Sequence, residues 1–187
     1  MRPSPHSVLT IACAVALIAH GSAKAQQDQA PAPPADPDGH GPVGESCSGD
    51  GHRAFDFWLG EWTVENADGA TVGSNTITRI SNGCAVLEHW IGGSGVPGQS
   101  LNHYDAAAGI WHQRWVGGNG QILDLTGGLE GESMVLSGER DGQDGPVLDR
   151  ITWSPLEDGS VRQKWDVSRD AGETWQEVFL GLYKRAD

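Results

Sequence analysis

Between residues 66 and 175 the chain is cut at short, nearly regular intervals by turn-forming clusters. They include Asn66-Ala67-Asp68-Gly69, Ser81-Asn82-Gly83, Gly117-Gly118-Asn119-Gly120, Glu157-Asp158-Gly159 and Asp170-Ala171-Gly172, with further clusters at 105–109 and 141–145. Asn-Gly and Asp-Gly steps supply the positive φ that tight hairpins require. The intervening segments are rich in Val, Ile, Leu, Thr and Trp, and no 3.6-residue periodicity persists in them. About ten candidate strands result, near 58–65, 72–80, 85–91, 99–104, 110–116, 121–129, 133–138, 147–153, 161–167 and 175–183. Gaps this short join antiparallel neighbours and exclude βαβ crossovers. The 27 glycines and 8 tryptophans, with only 20% charged residues, argue in the same direction, against helical bundles. A sequential meander leaves two open edges unless it closes on itself. The expected fold is therefore all-β, an up-and-down antiparallel closed β-barrel of about ten strands, wide enough to keep a cavity.

The segment before residue 53 has a different character. Residues 1–25 read as a signal peptide: Arg2 supplies a positive start, residues 8–19 are almost wholly apolar, and Ala23-Lys24-Ala25 matches a cleavage site. A periplasmic or secreted location is the expectation. No later segment approaches the length of apolar run that spans a bilayer as a helix, so no transmembrane segment is expected. Residues 26–52, with Pro31, Pro33, Pro34 and Pro37 close together, read as a flexible Pro/Gly/Asp-rich tether. Residues 53–187 would form the barrel. Acidic residues outnumber basic ones by 25 to 12, and the net charge of −13 argues against nucleic acid and anionic membranes as partners. Cys47 and Cys84 form an even pair in a chain read as exported, which reads first as a disulfide, with two free thiols as the alternative.

The stretch Phe55-Asp56-Phe57-Trp58-Leu59-Gly60-Glu61-Trp62 resembles the opening of an uncharacterised family of exported bacterial proteins in the calycin (lipocalin-like) superfamily, where an F-x-F-x-x-G-x-W segment starts a closed barrel. Asn102-His103-Tyr104-Asp105, followed by Trp111 and Trp115, is similar to that family's second signature. The resemblance covers roughly residues 55–184 and implies the barrel fold, without an established reaction. Nitric-oxide-binding haem barrels share the superfamily and carry a late axial His; here no His follows His112, so no cofactor is implied.

Few motifs carry chemistry. HExxH, GxSxG and P-loop patterns are missing, no GxGxxG is followed by a helical pattern, and no His/Cys spacing suggests a metal site. Ser168 to Trp175 matches an S-x-D-x-G-x-T-W Asp-box, read here as a self-stabilised hairpin since the motif occurs once. His89, His103 and His112 fall on three successive candidate strands; they are read as strand histidines, and convergence into a metal or general-base site is the alternative. Glu88 shares a strand face with Val86 and Trp90. If that face is interior, Glu88 is a buried acid that must be paired or protonated, with Arg114 and Lys164 as candidate counter-charges. Trp90, Trp111 and Trp115 stand beside polar residues on candidate inward faces and either wall a pocket or fill the barrel. The expected ligand-binding set is Glu88, Trp90, Tyr104, Trp111, Gln113 and Trp115. Three functions follow from these residues: a barrel holding a small hydrophobic or aromatic ligand, a barrel enzyme with Glu88 or a histidine as general base, or a structural and interaction module.

Overall fold

A computed structural model of the chain describes residues 47–186. The expected signal peptide and most of the expected tether lie outside the described residues. Ten strands follow one another: β1 (Gly60–Glu65), β2 (Thr71–Ile80), β3 (Ala85–Gly92), β4 (Pro97–Asp105), β5 (Ile110–Gly117), β6 (Ile122–Glu130), β7 (Ser133–Gly142), β8 (Gly145–Pro155), β9 (Val161–Ser168) and β10 (Gln176–Arg185). Each pairs antiparallel with the next, and β10 returns to β1, so the sheet is a closed up-and-down barrel with no free edge. The seam is set by Trp62 opposite Arg185 and Val64 opposite Tyr183. Side chains reinforce it: Lys184 Nζ lies 2.6 Å from Glu65 Oε2, and the Arg185 guanidinium stacks 3.9 Å over the Trp62 ring. No helix among the described residues is long and apolar enough to cross a membrane.

The turn chemistry places the strand ends well, with one instructive exception. β7 and β8 run further than the punctuation suggests, because Gly142 pairs directly with Gly145 and only Gln143 and Asp144 form the turn. The Asp-box is a hairpin between β9 and β10. The Asp170 carboxylate accepts the Thr174 N–H at 2.9 Å and the Thr174 hydroxyl, while the Gly172 N–H donates to Ser168 Oγ at 2.9 Å. These Thr174 bonds, aided by the Ser168 hydroxyl, hold the Asp170 carboxyl down at about 2.

The chain before β1 caps one end of the barrel. Cys47 is disulfide-bonded to Cys84, beside the β2–β3 connection. A short helix α1 (Asp50–Arg53) and a 3-10 turn at Asp56–Trp58 follow, so residues 47–52 of the expected tether lie against the barrel wall. Arg79 on β2 clamps this segment, donating to the Gly83 carbonyl at 2.9 Å and forming an ion pair with Asp56. Phe55 and Trp58 then enter the barrel as a plug. Phe55 stacks on Trp58 at 4.7 Å and meets the edges of Trp111 and Trp153 at 5.6 and 5.2 Å. The Trp62 indole N–H donates to the Trp58 carbonyl at 2.9 Å, and that of Trp111 to the Gly51 carbonyl at 3.0 Å. The F-x-F-x-x-G-x-W segment is thus a stopper and its anchor.

Candidate functional site

The opposite end is open. A cavity of about 300 Å³ lies there, bordered by the β3–β4 and β5–β6 hairpins and floored by Trp153 and Tyr183. Those two rings also touch the plug, through Phe55 and Trp58. The walls include Trp90, Trp115, Trp165 and Phe179. The volume is at the small end of the range for ligand cavities, roughly 300–1,000 Å³.

The space survives because the indoles lie flat. Trp90 is beside Asn75 in register and its ring covers Gly73, where an added Cβ would come within 2.4 Å of the indole. Trp115 is beside Ser100 and covers Gly98 in the same way, at 2.2 Å. A side chain at either glycine would push the ring into the lumen. Phe179 completes that wall, edge-on to Trp90 at 6.4 Å.

Polar groups cross the barrel interior as one connected network. Asn75 on β2 donates to Glu88 Oε1 at 2.8 Å, and the Ser100 hydroxyl on β4 donates to Glu88 Oε2 at 2.6 Å. Asn102 Nδ2 donates to Ser100 Oγ at 2.9 Å, and Gln113 Nε2 donates to Asn102 Oδ1 at 2.7 Å. On the other side Asn75 Nδ2 reaches the Tyr183 hydroxyl at 3.4 Å, and Tyr183 donates to Gln163 Oε1. Glu88 is only 5% exposed. Burial pushes its carboxyl up to about 7, against the pull of the Ser100 and Asn75 hydrogen bonds. Burial, followed by the charge of Glu88, raises the Tyr183 phenol well above its ordinary value.

The structure separates the residues singled out from the sequence. Glu88, Trp90, Gln113 and Trp115 line the cavity together. Trp111 and Tyr104 do not. Trp111 faces inward on the same strand as Trp115, but four residues of strand span about 13 Å, which puts it at the plugged end. Tyr104 packs on the same closing segment, edge-on to His52 at 5.1 Å and against Gly51. Neither candidate counter-charge meets Glu88: Arg114 pairs with Asp124 at 2.8 Å and Lys164 with Asp166 at 3.0 Å, both on the outer face. Among the histidines, His103 and His112 stack as a cross-strand pair at 5.0 Å with nearly parallel rings, while His89 lies opposite Thr76 and Gln99. No group of three or more His, Cys, Asp or Glu among the described residues is arranged to hold a metal ion.

Sequence reasoning missed Asn75, Ser100, Tyr183 and Phe179. On β4 the pattern is inverted: Gly98, Ser100 and Asn102 face inward, whereas Leu101 is 47% exposed. Apolar-in, polar-out patterning cannot find a buried polar network. Gln163 did leave a signal, since it alternates in phase with Val161, Trp165 and Val167.

No protein-family model matches this chain, and no curated protein matches it. Fold and cavity together define a class, a closed ten-stranded antiparallel β-barrel with one stoppered end, compatible with the lipocalin-like fold.

Proposed function

We propose that the protein is an exported barrel that holds a small, partly apolar ligand in its lumen. The observation that carries this reading is the cavity itself: aromatic walls kept apart by glycines, with a buried hydrogen-bonding network reaching its surface at Glu88, Gln113, Gln163 and Tyr183. Apolar walls with a few fixed polar groups are the usual make-up of small-molecule sites. Four of the eight tryptophans line the cavity besides Phe179, so binding is expected to quench or shift intrinsic fluorescence. A panel of lipids, haem and aromatic metabolites provides the measurement. A flat response across the panel would count against lumen binding.

The Gly98 contact supplies a sharper control. Gly98→Val is expected to drive the Trp115 indole off the wall and weaken binding of any responding panel member by about tenfold or more, with an unchanged far-UV circular dichroism spectrum. Unaltered affinity in a folded Gly98→Val protein would place the ligand elsewhere.

A second reading, a barrel enzyme with Glu88 as general base, is favoured by one observation. A carboxyl near pH 7 at a cavity surface is suited to take up and return a proton. It predicts a turnover that rises with pH through about 7 and is lost in Glu88→Gln.

A further inference from the structure

The residues lining the cavity include one carboxylate, Glu88, and no lysine, arginine or histidine. Both side-chain partners of Glu88 are neutral, and the Asn75 amide nitrogen can act only as a donor. That arrangement suits an acceptor-only, ionised carboxylate, yet none of the ion pairs among the described residues includes Glu88. The inward-facing cation of β7, Arg140, is committed to Asp149 at 2.7 Å, and Asp149 also accepts from the Trp165 indole at 2.8 Å. A second acceptor stands beside Glu88: Asn75 Oδ1 is buried and has no hydrogen-bond partner. A buried charge without a partner is costly, and a ligand that brings the opposite charge removes that cost. Around these acceptors stand Trp90, Trp115, Trp165 and Phe179, whose ring faces attract cations. The net charge of −13 also favours the approach of cations over anions.

We propose that the lumen takes a small organic monocation, a protonated amine on an aromatic or aliphatic body, with the ammonium against Glu88 and the body between the indole walls. This rests on the lumen-binding reading and names the ligand class for the same cavity. Anionic ligands are selected against by the same carboxylate, and neutral ones leave it unpaired.

Calorimetric titration of the full chain with 2-phenylethylamine, neutral 2-phenylethanol and anionic phenylacetate at pH 7.5 tests the assignment. The amine is expected to bind about thirty-fold or more tightly than the alcohol, as for a buried charge pair against its truncated form. Phenylacetate should not bind. Glu88→Gln should bring the amine down to the alcohol's affinity and leave the alcohol unchanged. Below pH 7 the amine should also displace the Glu88 proton, so that the heat varies with buffer ionisation enthalpy, and Glu88→Gln should abolish that variation. Asn75 from β2 and Ser100 from β4 bond Glu88 directly, and behind them Gln113 from β5 reaches Ser100 and Tyr183 from β10 reaches Asn75. Tyr183 alone among them titrates, and it stays protonated in this range. Should Glu88→Gln fail to fold, the amine-to-alcohol ratio and the proton release of the unaltered protein still decide. Equal affinity for amine and alcohol, or amine binding without proton release, would overturn the cation assignment and leave lumen binding standing. Binding by none of the three probes would overturn it as well, and the fluorescence panel then judges lumen binding separately.

Discussion

Trp58→Ala is expected to destabilise the barrel by about 3–5 kcal/mol, the usual cost of truncating a fully buried aromatic to Ala. Trp58 is wholly buried, stacked on Phe55 and 5.3 Å from Trp153, and its carbonyl accepts the Trp62 indole N–H. The truncation leaves a void between the plug and the cavity floor that two rigid rings cannot collapse to fill. Urea denaturation followed by far-UV circular dichroism gives the number directly. The thermal midpoint should fall by about 10 °C, at ~2–4 °C per kcal/mol for a domain of this size. A loss below about 1 kcal/mol would show that the closing segment is not part of the cooperative core. The disulfide alone would not hold the segment in place: it tethers residue 47, whereas the stopper is residues 55–58.

Stability of the unaltered protein is expected to fall as pH rises from about 4.5 to about 7, by roughly 3 kcal/mol, and to level off above that. The direction follows from the proton count. Glu88 has an ordinary value of 4.5 in the unfolded chain and about 7 in the barrel, so across that interval the folded state binds more protons than the unfolded one. Its contribution is fully present below pH 4.5 and is lost as pH climbs through 7, at ~1.4 kcal/mol per pH unit. Glu88→Gln, which keeps the shape and removes the charge, should flatten this component. Near pH 5 the two proteins should be of similar stability, and at pH 8 the variant should be the more stable. The acids held low, Asp105, Asp158 and Asp170, act in the opposite direction and only at lower pH, so they do not mask the effect. Parallel denaturation midpoints at pH 5, 6, 7 and 8 make the test, and parallel curves for the two proteins would refute the assignment. Such a penalty at neutral pH is what a bound cation would relieve.

Most of the architecture was legible because its signals are local. Asn-Gly and Asp-Gly steps mark hairpins whatever the rest of the chain does, and connections of a few residues leave antiparallel pairing as the only option. The two faces of β5 are separable as well, since Trp111, Gln113 and Trp115 recur every second residue, and the structure turns that set inward. Side-chain direction, however, is not position along the barrel. Trp111 and Trp115 share a face and differ in function because one meets the stopper and the other meets open space. Tyr104 stands in a recognisable motif yet packs on the closing segment, whereas closure of β10 on β1 makes Tyr183 the residue that reaches the network.

The sequence alone determined the all-β class, the number and order of the strands and the alternation along most of them, because turn geometry and a period of two depend only on neighbouring residues. The tertiary structure decided which end is stoppered, which indoles lie flat over glycines and which polar side chains meet around Glu88. Those outcomes join residues a hundred or more positions apart, as with Asn75 and Tyr183, and depend on barrel register and packing volume, which no local pattern encodes.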